Sequence, residues 1–180
     1  MRSQPLPVSA PAFRVAHARL AGATQWRLRS QDLQAPHHGM RSREPPKTHA
    51  DLCLDYAPAL LPGQAFSHAT AARLWGLPLP PGHPETPLHV SAVDGREPRR
   101  PGIVGHRLVQ ATIFTVQGLP VVSPIEAWCQ CGETLSLDAL VALADALMGR
   151  WSKLAQARLL PESALVDALA SRAADAASQH

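Results

Sequence analysis

Apolar positions fall at helical spacing toward both ends of the chain and alternate in its middle. "AFRVAHARLAG" sets Phe13, Val15, Ala16 and Leu20 at helical spacing, and Gly22 supplies a stop. Thr24 is placed to cap a second short helix, "QWRLRSQDL", with Trp26, Leu28 and Leu33 as its apolar face. "PHHGMRS" reads as a turn into an extended segment. "REPPKTH" is a linker, and "ADLCLDYAPALLPG" reads as a helix with Leu52, Cys53, Tyr56 and Leu60 inward. "AFSHATAARLWG" opens with a short strand, then a helix that Ser67 caps and Gly76 ends.

Strand signals follow. "PLHVSAV" and "GIVGHRLV" alternate, and "IFTVQGLPVVS" is two short runs broken at Gln117-Gly118, the spacing of a hairpin. In "SPIEAWCQCGETL" Ser123 is the cap, Pro124 takes the first helical position, and Glu126 stands at capping-box spacing. "SLDALVALADALMGR" carries Leu137, Leu140, Val141, Ala144, Leu147 and Met148 on one stripe, and an alanine-rich helix closes the chain. The order implies an α+β fold: a short N-terminal helical unit, a small, mainly antiparallel sheet, then C-terminal helices. The expected organisation is a disordered tail at 1–11, a basic unit at 12–48, an α+β body at 49–155 and a helix with a frayed end at 156–180.

Composition adds an asymmetry that the formal charge of +3 conceals. Residues 1–50 carry eight Arg and Lys against two acids, a net +6; the remainder carries nine against twelve, a net −3. A basic end on a mildly acidic body hints at a polyanionic partner. Cys53, Cys129 and Cys131 have no disulfide-framework spacing. No signal segment opens the chain and no apolar run approaches membrane-spanning length, so a reduced, cytoplasmic protein is expected.

The blocks "LQAPHHGMRS", "FSHATAARLWGLPLP", "PLHVSAV", "GIVGHRLV", "GLPVVSPIEAWCQ" and "LDALVALADALMGR" come in an order and spacing that resembles actinobacterial AbiEi-type antitoxin or transcriptional-regulator domain proteins. The resemblance covers roughly Ala12 to Arg150. It implies a winged-helix N-terminus, degenerate in this chain because the module is short, and an α+β body. It also implies contact with double-stranded DNA and an antitoxin role beside a nucleotidyltransferase-type toxin. Many such proteins resemble a fusion to a very-short-patch-repair-like endonuclease domain, expected to be missing from this chain.

Catalytic parts are scarce. A restriction-type nuclease needs acidic residues and a lysine-terminated strand motif around Mg²⁺, and neither Lys47 nor Lys153 closes one. No phosphate-binding glycine loop, G-x-S-x-G or H-E-x-x-H appears. A non-enzymatic protein without a cofactor is therefore expected. No metal is expected either: His37 and His38 point to opposite faces of an extended segment, and Cys129 and Cys131 diverge on a helix. His68 reads as a partly buried ring near a helix start. His106 and Arg107 alternate in and out of a strand, Arg73 is either solvated or phosphate-facing, and Asp145 is either on a polar edge or paired with an arginine. The candidate nucleic-acid contacts are Arg27, Arg29, Arg41 and Arg43, as phosphate ligands without base readout. The alternatives are a protein-interaction body that masks a toxin and a remnant of an endonuclease fusion.

Overall fold

Phe13 and Met40, two large side chains of the arginine-rich end, are both sealed from solvent on paired strands, one on each face of the pair. In a computed structural model, which describes residues 5–93, 95–150 and 152–177, strand β1 (Ala12–Arg14) runs antiparallel to β2 (Met40–Ser42). Helices α1 (Val15–Leu20) and α2 (Gln25–Leu28) lie between them in sequence. Thr24 caps α2 by accepting from the Arg27 amide at 3.2 Å.

Helix α2 stops well before the expected end at Leu33. Ser30 Oγ donates to the Arg27 carbonyl at 2.9 Å, and Asp32 takes both terminal nitrogens of Arg27 at 3.0 and 2.9 Å. Such local side-chain bonds compete with helix continuation. The apolar faces also differ from expectation. Leu20 and Trp26 point outward, while Val8, Phe13, Ala18 and Leu28 form the local core with Leu6 packed against it. Thus residues 6 and 8 of the expected disordered tail join that core, and 1–4 lie outside the described residues. The N-terminal unit continues through α3 (His49–Tyr56), where Thr48 and Asp51 form a reciprocal capping box. The chain divides into compact units at 1–62 and 63–180, so α3 goes with the basic end.

The second unit is built on a five-stranded sheet of β3 (Gln64–Phe66), β4 (Leu88–Val93), β5 (Ile103–Leu108), β6 (Ile113–Val116) and β7 (Leu119–Val122), in the order β5-β4-β3-β7-β6. The β3–β4 and β6–β7 pairs are antiparallel, whereas β4–β5 and β3–β7 are parallel. Gln117 and Gly118, both at positive φ (51° and 80°), make the tight β6–β7 turn expected of them. The 95–102 segment folds back over β5 so closely that a Cβ on Gly105 would lie 2.2 Å from the Pro98 carbonyl oxygen.

Helices α4 (His68–Leu74), α5 (Pro124–Cys131), α6 (Leu137–Met148) and α7 (Glu162–Ala177) complete this unit. Small residues, Ala69, Ala72 and Ala127 among them, are buried on the packed pair α4 and α5. Trp75 is sealed in the core with its indole donating to the Val122 carbonyl at 2.8 Å. On α6 the buried residues are Leu143, Ala146 and Leu147, while Leu137 and Val141 of the expected stripe face outward. The helix packs against α5, and the Trp128 indole donates to the Leu140 carbonyl at 2.9 Å across that contact. Helix α7 continues to Ala177, into the end expected to fray, and the remaining 178–180 lie outside the described residues. No helix among the described residues is long and apolar enough to cross a membrane.

Candidate functional site

Each unit carries one candidate. In the first, the four arginines singled out by sequence part company. Arg27 is buried at 5% exposure, with its guanidinium on Asp32, whose carboxyl is held below the usual range by its bond from Ser30 and by Arg27. Arg43 reaches back to the Ala10 carbonyl at 3.3 Å and to the Val8 carbonyl, tethering the preceding segment. Arg29 is exposed. Arg41 is half-buried, donating to the Leu28 and Met40 carbonyls at 2.7 and 2.6 Å. Arg29 and Arg41 meet at a cleft of about 420 Å³ that Arg19, His37 and His38 also line. One cluster of four arginines therefore becomes two structural arginines and two that share a basic cleft with Arg19.

The second candidate rises from two neighbouring strands, β4 and β5, and from the start of α4 just after β3. Pairing of Ser91 with His106 and of His89 with Val104 puts His89 and His106 on the same face, two positions apart. His68 lies two residues past the end of β3, and the Ser67 amide donates to the His89 carbonyl at 3.0 Å, extending the ladder through Ser67. The three imidazoles stack. Centroids of His68 and His106 are 3.6 Å apart, those of His68 and His89 5.3 Å, and those of His89 and His106 5.2 Å. One nitrogen from each ring lies within 4.8 Å of the others, the arrangement of a group able to hold a metal ion.

Surrounding residues fix the rings. His89 Nδ1 and His106 Nε2 stand 3.0 Å apart, and Ser67 Oγ lies 3.0 Å from His68 Nδ1. Ser67 sits at the cap position of α4 but makes no cap with its side chain; the His68 amide instead donates to Gln130 Oε1 at 2.9 Å. Gln130 donates in turn to Glu126 at 2.9 Å, and Arg172 of α7 donates to the same carboxylate. That use of Glu126 replaces the expected capping box of α5; Ser123 still caps the Glu126 amide at 3.1 Å. The Thr70 hydroxyl accepts from the His89 amide at 2.9 Å. His68 itself sits at φ 52°, in the left-handed region that non-glycine residues rarely occupy.

The electrostatics leave this cluster uncharged at neutral pH. Burial, then the imidazoles of His106 and His89, pushes His68 down to about 3. Burial and His106 push His89 down to about 4, and burial lowers His106 against the pull of Glu133 and Glu97. Each neutral ring keeps one lone pair for a hydrogen bond or a metal. Glu133 Oε2 stands 3.7 Å from His68 Nε2, beyond hydrogen-bond length.

Other residues find structural roles. Arg73 donates to the His83 and Pro84 carbonyls, holding that loop, and Arg99 pairs with Glu97. Arg107 is exposed beside half-buried His106, and Asp145 is exposed on α6. Burial and the neighbouring Cys129 push the Cys131 thiol up to about 12, which removes it as a nucleophile. Sequence spacing hid the histidine cluster because its members lie far apart in the chain. Alternation in "LHVSAV" and "IVGHRL" gives each strand's faces, but only the parallel pairing of β4 and β5 joins them. Comparison with protein-family models, curated proteins and solved structures gives no match.

Proposed function

We propose that the chain is a non-enzymatic, DNA-associated regulator of the cytoplasm, which its first unit brings to double-stranded DNA through phosphate contacts. The observation that carries the reading is the cleft shared by Arg19, Arg29 and Arg41, on the half of the chain with the positive charge excess. The resemblance to AbiEi-type antitoxins points the same way. Phosphate contact suits the cleft better than base readout, because the four residues of α2 span only about 6 Å, one helical turn. Arg27 and Arg43 are left out of the contact set: Asp32 holds Arg27 buried, and Arg43 does not line this cleft.

Fluorescence anisotropy on a random duplex, from low to physiological salt, tests this. Each phosphate contact steepens the log–log salt dependence by about 0.9, so three arginines predict a slope of about −2 to −3. Arg19/Arg29/Arg41→Ala is expected to abolish binding, with Arg73→Ala as a control that leaves it unchanged. Absence of binding at low salt, or equal binding by the triple variant, refutes the reading. A second reading, a body that masks a nucleotidyltransferase-type toxin, is favoured by the outward-facing Leu137 and Val141 of α6. A stable protein complex formed without DNA would select it.

A further inference from the structure

We propose that His68, His89, His106 and Glu133 form a binding site for a divalent transition metal, zinc foremost, in the second unit. This goes beyond the DNA reading and stands on different residues. Tetrahedral zinc with Zn–N bonds of about 2.0–2.1 Å sets its ligand atoms about 3.3 Å apart. The His89–His106 nitrogen pair, at 3.0 Å, and the His68–Glu133 pair, at 3.7 Å, already stand within a few tenths of an ångström of that separation. All three histidine nitrogens lie within 4.8 Å of one another, so closure of the histidines needs a shift of at most about 1.5 Å, while Glu133, near His68 but outside that group, must swing further in. To bind, the stacked rings must turn about their χ2 bonds so that their in-plane lone pairs meet at a common centre.

The donor set suits a borderline cation. Imidazole is a ligand for zinc, copper, iron and nickel, and a three-histidine, one-carboxylate set matches the four-coordinate habit of zinc. Because the rings are neutral, a cation displaces no proton from them at neutral pH. Outer partners are in place too. Ser67 Oγ holds His68 Nδ1, which leaves Nε2 toward the centre, and Gln130 fixes the His68 backbone. Glu97 and Glu133 supply negative charge beside His106. Glu133 is the most exposed of the four, so it is the ligand by which the ion enters and leaves. With four protein ligands the site is a structural clasp. It ties β5, at the sheet edge, to β4, to the start of α4 and to the turn after α5.

The test is calorimetric titration of zinc chloride into the full chain stripped with EDTA. One equivalent is expected to bind with micromolar or tighter affinity and to raise the thermal midpoint, reversibly with EDTA. His89→Ala and His106→Ala are expected to weaken binding at least about 100-fold, and Glu133→Gln about tenfold. The surface variant His37→Gln/His38→Gln is expected to bind as the parent does. Failure to bind zinc, parent-like binding by both His89→Ala and His106→Ala, or loss in the His37/His38 variant overturns the site. Should the alanine variants not fold, cobalt(II) on the parent chain decides. The intense visible absorption of a four-coordinate ion supports the clasp, and the weak spectrum of a six-coordinate ion refutes it.

Discussion

Acidifying the metal-free protein from pH 7 to pH 5 should cost stability in proportion to how firmly the fold keeps His68 neutral. In the unfolded chain this imidazole takes up a proton near pH 6.5, whereas in the fold its pKa is pushed down to about 3. Between those values the unfolded state binds the extra proton, so stability falls as pH falls. Nothing is lost above pH 6.5. Below it the loss runs at about 1.4 kcal/mol per pH unit, which is about 2 kcal/mol by pH 5. His89 and His106 add to it with the same sign. Asp55 acts oppositely: burial raises its carboxyl, so the folded state holds that proton more tightly than the unfolded state does. The assay is urea unfolding followed by circular dichroism at both pH values with EDTA present, on the parent and on His68→Asn. Asparagine tolerates the left-handed backbone at this position and does not titrate. The variant should lose about 2 kcal/mol of the pH dependence. Equal pH dependence in the two proteins would refute the assignment of His68 as a buried neutral ring.

Two further outcomes test the packing. Leu143→Ala on α6 should lower unfolding free energy by about 2–5 kcal/mol in chemical denaturation, while Leu137→Ala stays within about 0.5 kcal/mol, because only the former is sealed in the core; equal costs would mean that α6 presents the stripe expected from sequence. Gly105→Ala should lower the thermal midpoint in differential scanning calorimetry, since its Cβ would meet the Pro98 carbonyl oxygen at 2.2 Å; an unchanged midpoint would show that the 95–102 segment yields freely.

The α+β class and most element positions were legible, because caps, stops and alternation are local signals. Thr24, Ser123, Gly76 and the Gln117-Gly118 turn sit where those signals put them. What failed was what depends on a distant partner. Period alone could not say which face of α6 turns inward, since that depends on its packing against another helix, α5. Nor could charge say which arginines face solvent, since Asp32 captures Arg27 locally and β-strand return brings Arg41 to Leu28. The histidine cluster was hidden for the same reason: two strands and the start of a helix bring its members together only once the sheet order is known.

Ser67 and Ser123 close two parallel strands and open two helices that pack side by side, so the protein carries its own matched pair. One hydroxyl does what a helix start asks of it, and the other is turned toward an imidazole while an amide from the sister helix takes over its duty. The same substitution at the two positions should therefore have unlike consequences. Ser123→Ala should weaken the fold by about 1 kcal/mol, as loss of a cap does. Ser67→Ala should leave the helix start intact and release the tautomer of His68, so its signature belongs in imidazole NMR rather than in a melting curve.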